Sequence, residues 1–198
     1  MKKFSKIFGA AFCLCLSLAL LTGCGSKKSE EKKEDKTSNK TEEKQEEKSK
    51  GNCSVFECIK QLDPEGKLED ANKIIGFEGT VKTDAETYIV YEWKLTSDTS
   101  VTINFMKKYD NATIDIDFPD SMINEKADFS KWNDMKSKIS KGTFTYDEFV
   151  ESVGGVQGTL TKKSKSSETY RWVNSNNGYL SASFDSKNKK CSFASGRM

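Results

Sequence analysis

The chain contains no histidine. That absence removes Ser-His-Asp triads, most zinc centres and the side chain that usually senses pH near neutrality. A cysteine nucleophile would lack its usual base. Proline is nearly absent as well, with two in 198 residues. No excess of charge stands out either: the net charge is +2. Residues 1–23 carry Lys2, Lys3 and Lys6 and no acid, so the remainder is close to neutral. A nucleic-acid partner needs a basic stripe, and none is present. No Gly-rich phosphate loop follows a strand, and no cofactor is expected. Finally, no apolar run reaches the roughly 20 residues of a spanning helix.

The longest apolar run is Ile7 to Leu21, behind three lysines, and it ends in Leu21-Thr22-Gly23-Cys24. A charged start, a short apolar core and small residues before a cut define a secretory signal over 1–23. The four closing residues resemble the bacterial lipobox. That resemblance implies cleavage between Gly23 and Cys24 and a diacylglyceryl thioether on Cys24, with palmitate-type acyl chains as the membrane anchor. Two or more chains hold a protein at a bilayer stably. The Lys-rich, Pro-poor composition fits a Gram-positive bacterium, with the protein on the extracytoplasmic face of the cell membrane. Residues 24–52 are the lipidated cysteine and a charged linker. From 26 to 52 no residue is apolar, so the segment cannot bury enough surface to order itself. A coil of that length places the following domain roughly 25–30 Å from its anchor.

The rest of the chain is built around an echo. Tyr91-Glu92-Trp93 returns as Tyr170-Arg171-Trp172, 79 positions on. The same offset links Gly76 to Gly155, Gly79 to Gly158, Thr80 to Thr159 and Phe105 to Phe184. A fixed period with matched glycines and aromatics marks a duplicated unit, here 53–120 and 121–198. In the first, apolar residues at helical spacing (Val55, Phe56, Ile59, Leu62) precede a second short amphipathic stretch from Leu68 to Ile75, stopped at Gly76. Four runs with a period of two follow, as in strands with one buried face. In the second, Phe129, Trp132, Met135 and Ile139 predict a helix, and Thr145 with Glu148 forms a capping box for another. Asn176-Asn177-Gly178 is a strong turn signal. The fold class expected is α+β: two tandem repeats, each two short helices on a four-stranded antiparallel sheet, forming one open concave sheet.

Alternation assigns the faces. Tyr91, Trp93, Val101, Ile103 and Phe105, with Tyr170, Trp172, Leu180, Ala182 and Phe184, should point at the helices. Tyr88, Val90, Glu92, Lys94, Thr102, Asn104 and Met106 should face solvent. So should Thr169, Arg171, Val173, Tyr179, Ser181, Ser183 and Asp185. Tyr and Arg are favoured at interfaces, so Tyr88, Arg171 and Tyr179 are the partner-binding candidates, with Met106 as an adaptable contact. Three cysteines remain after Cys24, namely Cys53, Cys58 and Cys191, and an odd number cannot all pair within one chain. A Cys53–Cys58 bridge is left open. Asp115, Asp117 and Asp120 lie close together but lack the spacing of a calcium loop, so no metal is expected.

With glycines at 76, 79, 155 and 158, the Tyr-x-Trp strands and the strands ending in Phe105 and Phe184, each unit resembles a repeat of the β-lactamase-inhibitory-protein-like family. The resemblance implies side-by-side helix-and-sheet layers with a solvent-open sheet that grips a protein partner. The named inhibitors press many aromatics against a β-lactamase, whereas the solvent-facing positions here are mostly Ser, Thr and charged. The expectation is therefore a non-catalytic binding module for an unidentified protein or cell-envelope partner. The alternatives are an assembly factor of an envelope complex, a β-lactamase inhibitor, or a hydrolase using carboxylates such as Glu92 and Asp185.

Overall fold

The computed structural model describes residues 50–198. The signal, Gly23, Cys24 and nearly all of the linker lie outside the described residues. Two helices open the domain, α1 (Val55–Gln61) and α2 (Leu68–Ile75). Four strands follow: β1 (Thr80–Asp84), β2 (Tyr88–Lys94), β3 (Ser100–Met106) and β4 (Ala112–Asp117). A single 3-10 turn, Asp120–Met122, leads into α3 (Trp132–Ile139) and α4 (Tyr146–Ser152). The chain closes with β5 (Thr159–Ser164), β6 (Ser167–Val173), β7 (Tyr179–Asp185) and β8 (Cys191–Arg197). The strands form one antiparallel sheet in sequence order, β1 to β8. Over the described residues the class is α+β, an open eight-stranded sheet with four helices.

Local chemistry starts and stops the helices. Ser54 and Thr145 cap α1 and α4, and in each case the third helical residue, Glu57 or Glu148, bonds back to the cap. These reciprocal bonds satisfy backbone donors that a helix start leaves orphaned. At the end of α2, Gly76 sits at φ +100°, and the pair after α4, Gly154 and Gly155, at +86° and +82°. Only glycine enters that region without steric cost. One expected helix is shorter than the spacing predicted. Phe129 precedes α3, because Asp128 accepts hydrogen bonds from the backbone and hydroxyl of Ser130 and holds a turn there. Phe129 is buried all the same.

The four later strands begin 79 positions after the four earlier ones, at 159, 167, 179 and 191 against 80, 88, 100 and 112. The irregularity between Val81 and Thr83 recurs between Leu160 and Lys162. Trp93 Nε1 donates to the Phe77 carbonyl at 3.1 Å, and Trp172 Nε1 to the Val156 carbonyl at 2.9 Å.

Two core clusters lie on the helix side. The first joins Ile59 and Ile75 to Trp93, Val101, Ile103 and Ile114; the second joins Phe144, Phe149 and Val153 to Trp172, Leu180 and Phe184. Burying each such side chain contributes roughly 1.5–3 kcal/mol. The inward positions read from alternation all lie in or against these clusters. Where β4 meets β5 the pairing is short, from Thr113↔Ser164 to Asp115↔Lys162. Helix α1 leans across that seam. Leu160 packs on the first cluster, and Lys163 Nζ donates to the Leu62 carbonyl at 2.9 Å. Cys53 and Cys58 form a disulfide at the start of α1. Cys191 is a buried free thiol, 79 positions after the equally buried Ala112 of β4.

Two positions depart from simple alternation. Val173, expected on the solvent side, is 3% exposed, because Lys126 forms a parallel bridge beside it and Ala127 N–H donates to its carbonyl. Phe193, two residues after the buried Cys191, is 61% exposed. The pairing steps from Phe184↔Cys191 to Ser183↔Phe193, so Ser192 is an extra residue. A bulge of one residue turns every later side chain to the other face. Ala194 therefore packs inward in place of Phe193.

Candidate partner-binding face

The side of the sheet away from the helices carries a row of residues in register across seven strands. Glu92 faces Thr102, Thr102 faces Asp115, and Asp115 faces Lys162. Lys162 faces Thr169, Thr169 faces Ser183, and Ser183 faces Phe193. The charges in the row are matched locally. Lys82, from the irregular point of β1, reaches Glu92 at 3.0 Å, and Lys162 reaches Asp115 at 2.8 Å. The Thr169 and Ser183 hydroxyls are hydrogen-bonded at 2.8 Å. Such a surface offers many hydroxyls and few free charges. Beside it Asn104, between Val90 and Thr113 in register, has a buried Oδ1 without a hydrogen-bond partner in the structure.

The four candidate residues fall into two separate pairs. Tyr88 and Met106 are direct cross-strand partners on β2 and β3. Arg171 and Tyr179 meet on β6 and β7, with the guanidinium 4.5 Å from the ring centroid. Two strands separate β3 from β6, so the pairs stand roughly 14 Å apart or more at ordinary strand spacing. They make two contact points on one face rather than one pocket.

Arg171 is not a free anchor. Its Nη2 donates to Asp120 Oδ2 at 2.8 Å, and its Nε lies 2.8 Å from Oδ1. The carboxylate comes from the 3-10 turn between β4 and α3. Tyr179 is also approached by Arg197, 5.9 Å from its centroid. An aromatic ring between two guanidiniums is attracted to both. Nothing in the local sequence announced Asp120 or Arg197 as members of this group. The nearest signal for Asp120 was its place in the acidic trio with Asp115 and Asp117. Those carboxylates do not converge: Asp115 is held by Lys162 and Asp120 by Arg171. Among the described residues no group of three or more metal-ligating side chains gathers.

The carboxylates considered for hydrolysis are far apart as well. Glu92 is on β2 and Asp185 on β7, five strand spacings or roughly 24 Å along the sheet. Paired carboxylate catalysis needs under about 10 Å. Asp185 accepts the backbone N–H groups of Asn188 and Lys187, which hold its carboxyl below the usual range. It organises the β7–β8 turn.

On the helix side a cleft of about 470 Å³ opens over the seam, lined by Phe56 and Lys60 of α1, the chain from Met122 to Glu125, and Gln157 to Leu160. No helix among the described residues is long and apolar enough to cross a membrane.

No protein-family model matches the chain, and no curated protein or solved structure matches it either.

Proposed function

We propose that the protein is a lipid-anchored envelope lipoprotein whose domain is two tandem copies of one helix-and-sheet unit, and that its exposed sheet face binds a protein or cell-envelope partner without catalysis. The observation that carries the binding reading is the seven-strand row from Glu92 to Phe193. It is broad, it is rich in hydroxyls, and its charges are already matched. A partner lying on it gains many hydrogen bonds without having to strip isolated charges of water. Tyr88, Met106, Arg171 and Tyr179 supply the larger contact surfaces at its margins.

The duplication is supported by the constant offset of strand starts, by the irregularity repeated in β1 and β5, and by the matched tryptophan hydrogen bonds. The resemblance to β-lactamase-inhibitory-protein-like repeats rests on the same landmarks, and the reading does not include β-lactamase inhibition. The anchor rests on the sequence around Gly23 and Cys24, and the mixed-charge linker suits a spacer between membrane and domain.

The test of the face is crosslinking and pulldown from the native envelope with the wild-type chain and with Arg171→Ala/Tyr179→Ala. Selective loss of one or more partners from the variant supports the face, and equal recovery of all of them removes it. The anchor is tested separately. Palmitate labelling that persists in Cys24→Ser would overturn lipidation at that cysteine.

A further inference from the structure

The sheet has two edges, and they are finished differently. Edge strand β1 is five residues long, is irregular at Lys82, and carries Lys82 and Asp84, both ion-paired to neighbours. Charges and irregularities of this kind block pairing with another chain. Edge strand β8 is protected only at its start. There the segment before α4 runs along it: Cys191 N–H donates to the Phe144 carbonyl, Tyr146 N–H donates to the Lys189 carbonyl, and Thr145 bridges Lys190. Beyond that segment Phe193-Ala194-Ser195-Gly196 has no charge and no proline, and its outer side has no partner strand among the described residues. Phe193 is well exposed. On the helix side this edge borders a groove of about 400 Å³ between α3 and β8, whose apolar lining includes Ile139 and Ala194.

We propose that the β8 edge from Phe193 to Arg197 accepts an added strand: an extended acidic segment of a partner protein with apolar side chains at alternate positions. The backbone groups of the edge give such a segment a ladder to bond to. Its alternate side chains drop toward the groove beside Ile139, the usual division of labour in strand addition. The charge requirement comes from the surroundings. Lys136 lines the groove, Lys190 and Arg197 flank the edge, and none of the three has a carboxylate within ion-pair distance among the described residues.

A second copy of this chain fits less well. Two β8 edges paired about a two-fold axis would bring both sets of cations to one seam, and Ala194 and Gly196 are too small to fill the groove. The protein's own linker does not fit either, since it has no apolar residue from 26 to 52. An anionic membrane surface would use the cations but leave the backbone ladder unpaired. The site adjoins the β8 end of the broad face, where Phe193 and Arg197 belong to both, whereas Met106 lies far along the sheet on β3 and reports on the broad face alone.

The experiment uses the full chain in nonionic detergent and a fluorescein-labelled peptide, Glu-Val-Glu-Ile-Glu-Val-Glu, read by anisotropy. Saturable binding is expected. It should weaken about tenfold or more in Lys190→Glu/Arg197→Glu, as for a lost charge contact at an interface, with an unchanged melting curve. Methylating alternate peptide nitrogens on the ladder-forming side should abolish it, and Met106→Ala should leave it intact. The proposal is overturned by the absence of binding, by equal affinity for the methylated peptide or for the charge-reversed variant, or by a chain that dimerises through β8 and excludes the peptide. Binding lost in Met106→Ala but kept in the charge-reversed variant would place the peptide on the broad face and also overturn it.

Discussion

Gly158 has no room for a side chain because the indole of Trp172 occupies the space. A Cβ there would lie 2.5 Å from Trp172 Cζ2, and one on Gly79 would lie 2.5 Å from Trp93 Cε2. Neither glycine has a positive φ, so alanine would suit the backbone and offend only the packing. Both tryptophans are fully buried and hydrogen-bonded through their ring nitrogens, and they cannot swing aside without losing that bond. Gly79→Ala and Gly158→Ala should each destabilise the domain by about 1–3 kcal/mol, the usual cost of overpacking. Denaturant midpoints measure this. A loss below a few tenths of a kcal/mol in either variant would mean that the close approach is not a constraint.

Acid should weaken the fold through its helix caps. Hydrogen bonds from the backbone and hydroxyl of Ser54 hold Glu57 below its ordinary value of 4.5, and those of Thr145 do the same for Glu148. A group whose folded pKa is depressed contributes stability above its unfolded pKa and loses it as pH falls through the folded one. Stability should therefore decline from about pH 4.5 downward. Glu57→Gln/Glu148→Gln keeps an acceptor in each capping box but no titrating group, so its decline should be shallower. Urea midpoints taken at intervals from neutral pH to pH 3 decide it, and parallel curves for the two proteins would rule the caps out.

What the sequence disclosed, and what it hid, follow from how far each feature reaches along the chain. An antiparallel strand with one wet face writes its burial as alternation, so the inward row from Trp93 to Phe184 was readable residue by residue. Capping boxes and glycine stops are likewise spelled within a few positions. The bulge at Ser192 defeats alternation, because one extra residue reverses the faces without changing composition, and Phe193 emerges outward for that reason. Val173 is buried by Lys126, 47 positions earlier in the chain, and Arg171 is held by Asp120, 51 positions away. Such pairings are set by the path of the chain between β4 and α3, which has no local pattern to announce it. Tyr88 with Met106 was recoverable from hairpin register. That the four chosen face residues form two distant pairs was not.

The cysteines among the described residues should behave as two chemical classes. The Cys191 thiol is buried, and burial pushes its pKa up to about 11. Reaction with a thiol reagent at pH 8 should be negligible in the native protein and stoichiometric after denaturation, because the thiolate is the reactive form. The Cys53–Cys58 disulfide closes a very short loop, so by chain entropy it should contribute only about 2 kcal/mol. Comparing melts of the oxidised and reduced chain checks this, and a reduced protein that fails to fold would give the bridge a far larger role.

Asp120 and Arg171 together offer a way to separate architecture from recognition. Both side chains are partly exposed, so solvent screening limits their ion pair to roughly 0.2–1 kcal/mol despite its side-on geometry. Removing the carboxylate leaves Arg171 stacked on Tyr179 but free to turn. Asp120→Asn should therefore cost less than about 1 kcal/mol in a denaturation curve. If the broad face is where the partner docks, the same substitution should weaken capture clearly, because it unfixes a guanidinium that contacts the partner. Arg171→Lys should behave alike, since an ammonium cannot reproduce the planar contacts to both Asp120 and Tyr179. A large stability loss with unchanged capture would instead make the pair a brace between the β4–α3 connection and β6. The stability curve and the capture assay thus move in opposite ways under the two roles, and measuring both on Asp120→Asn separates them.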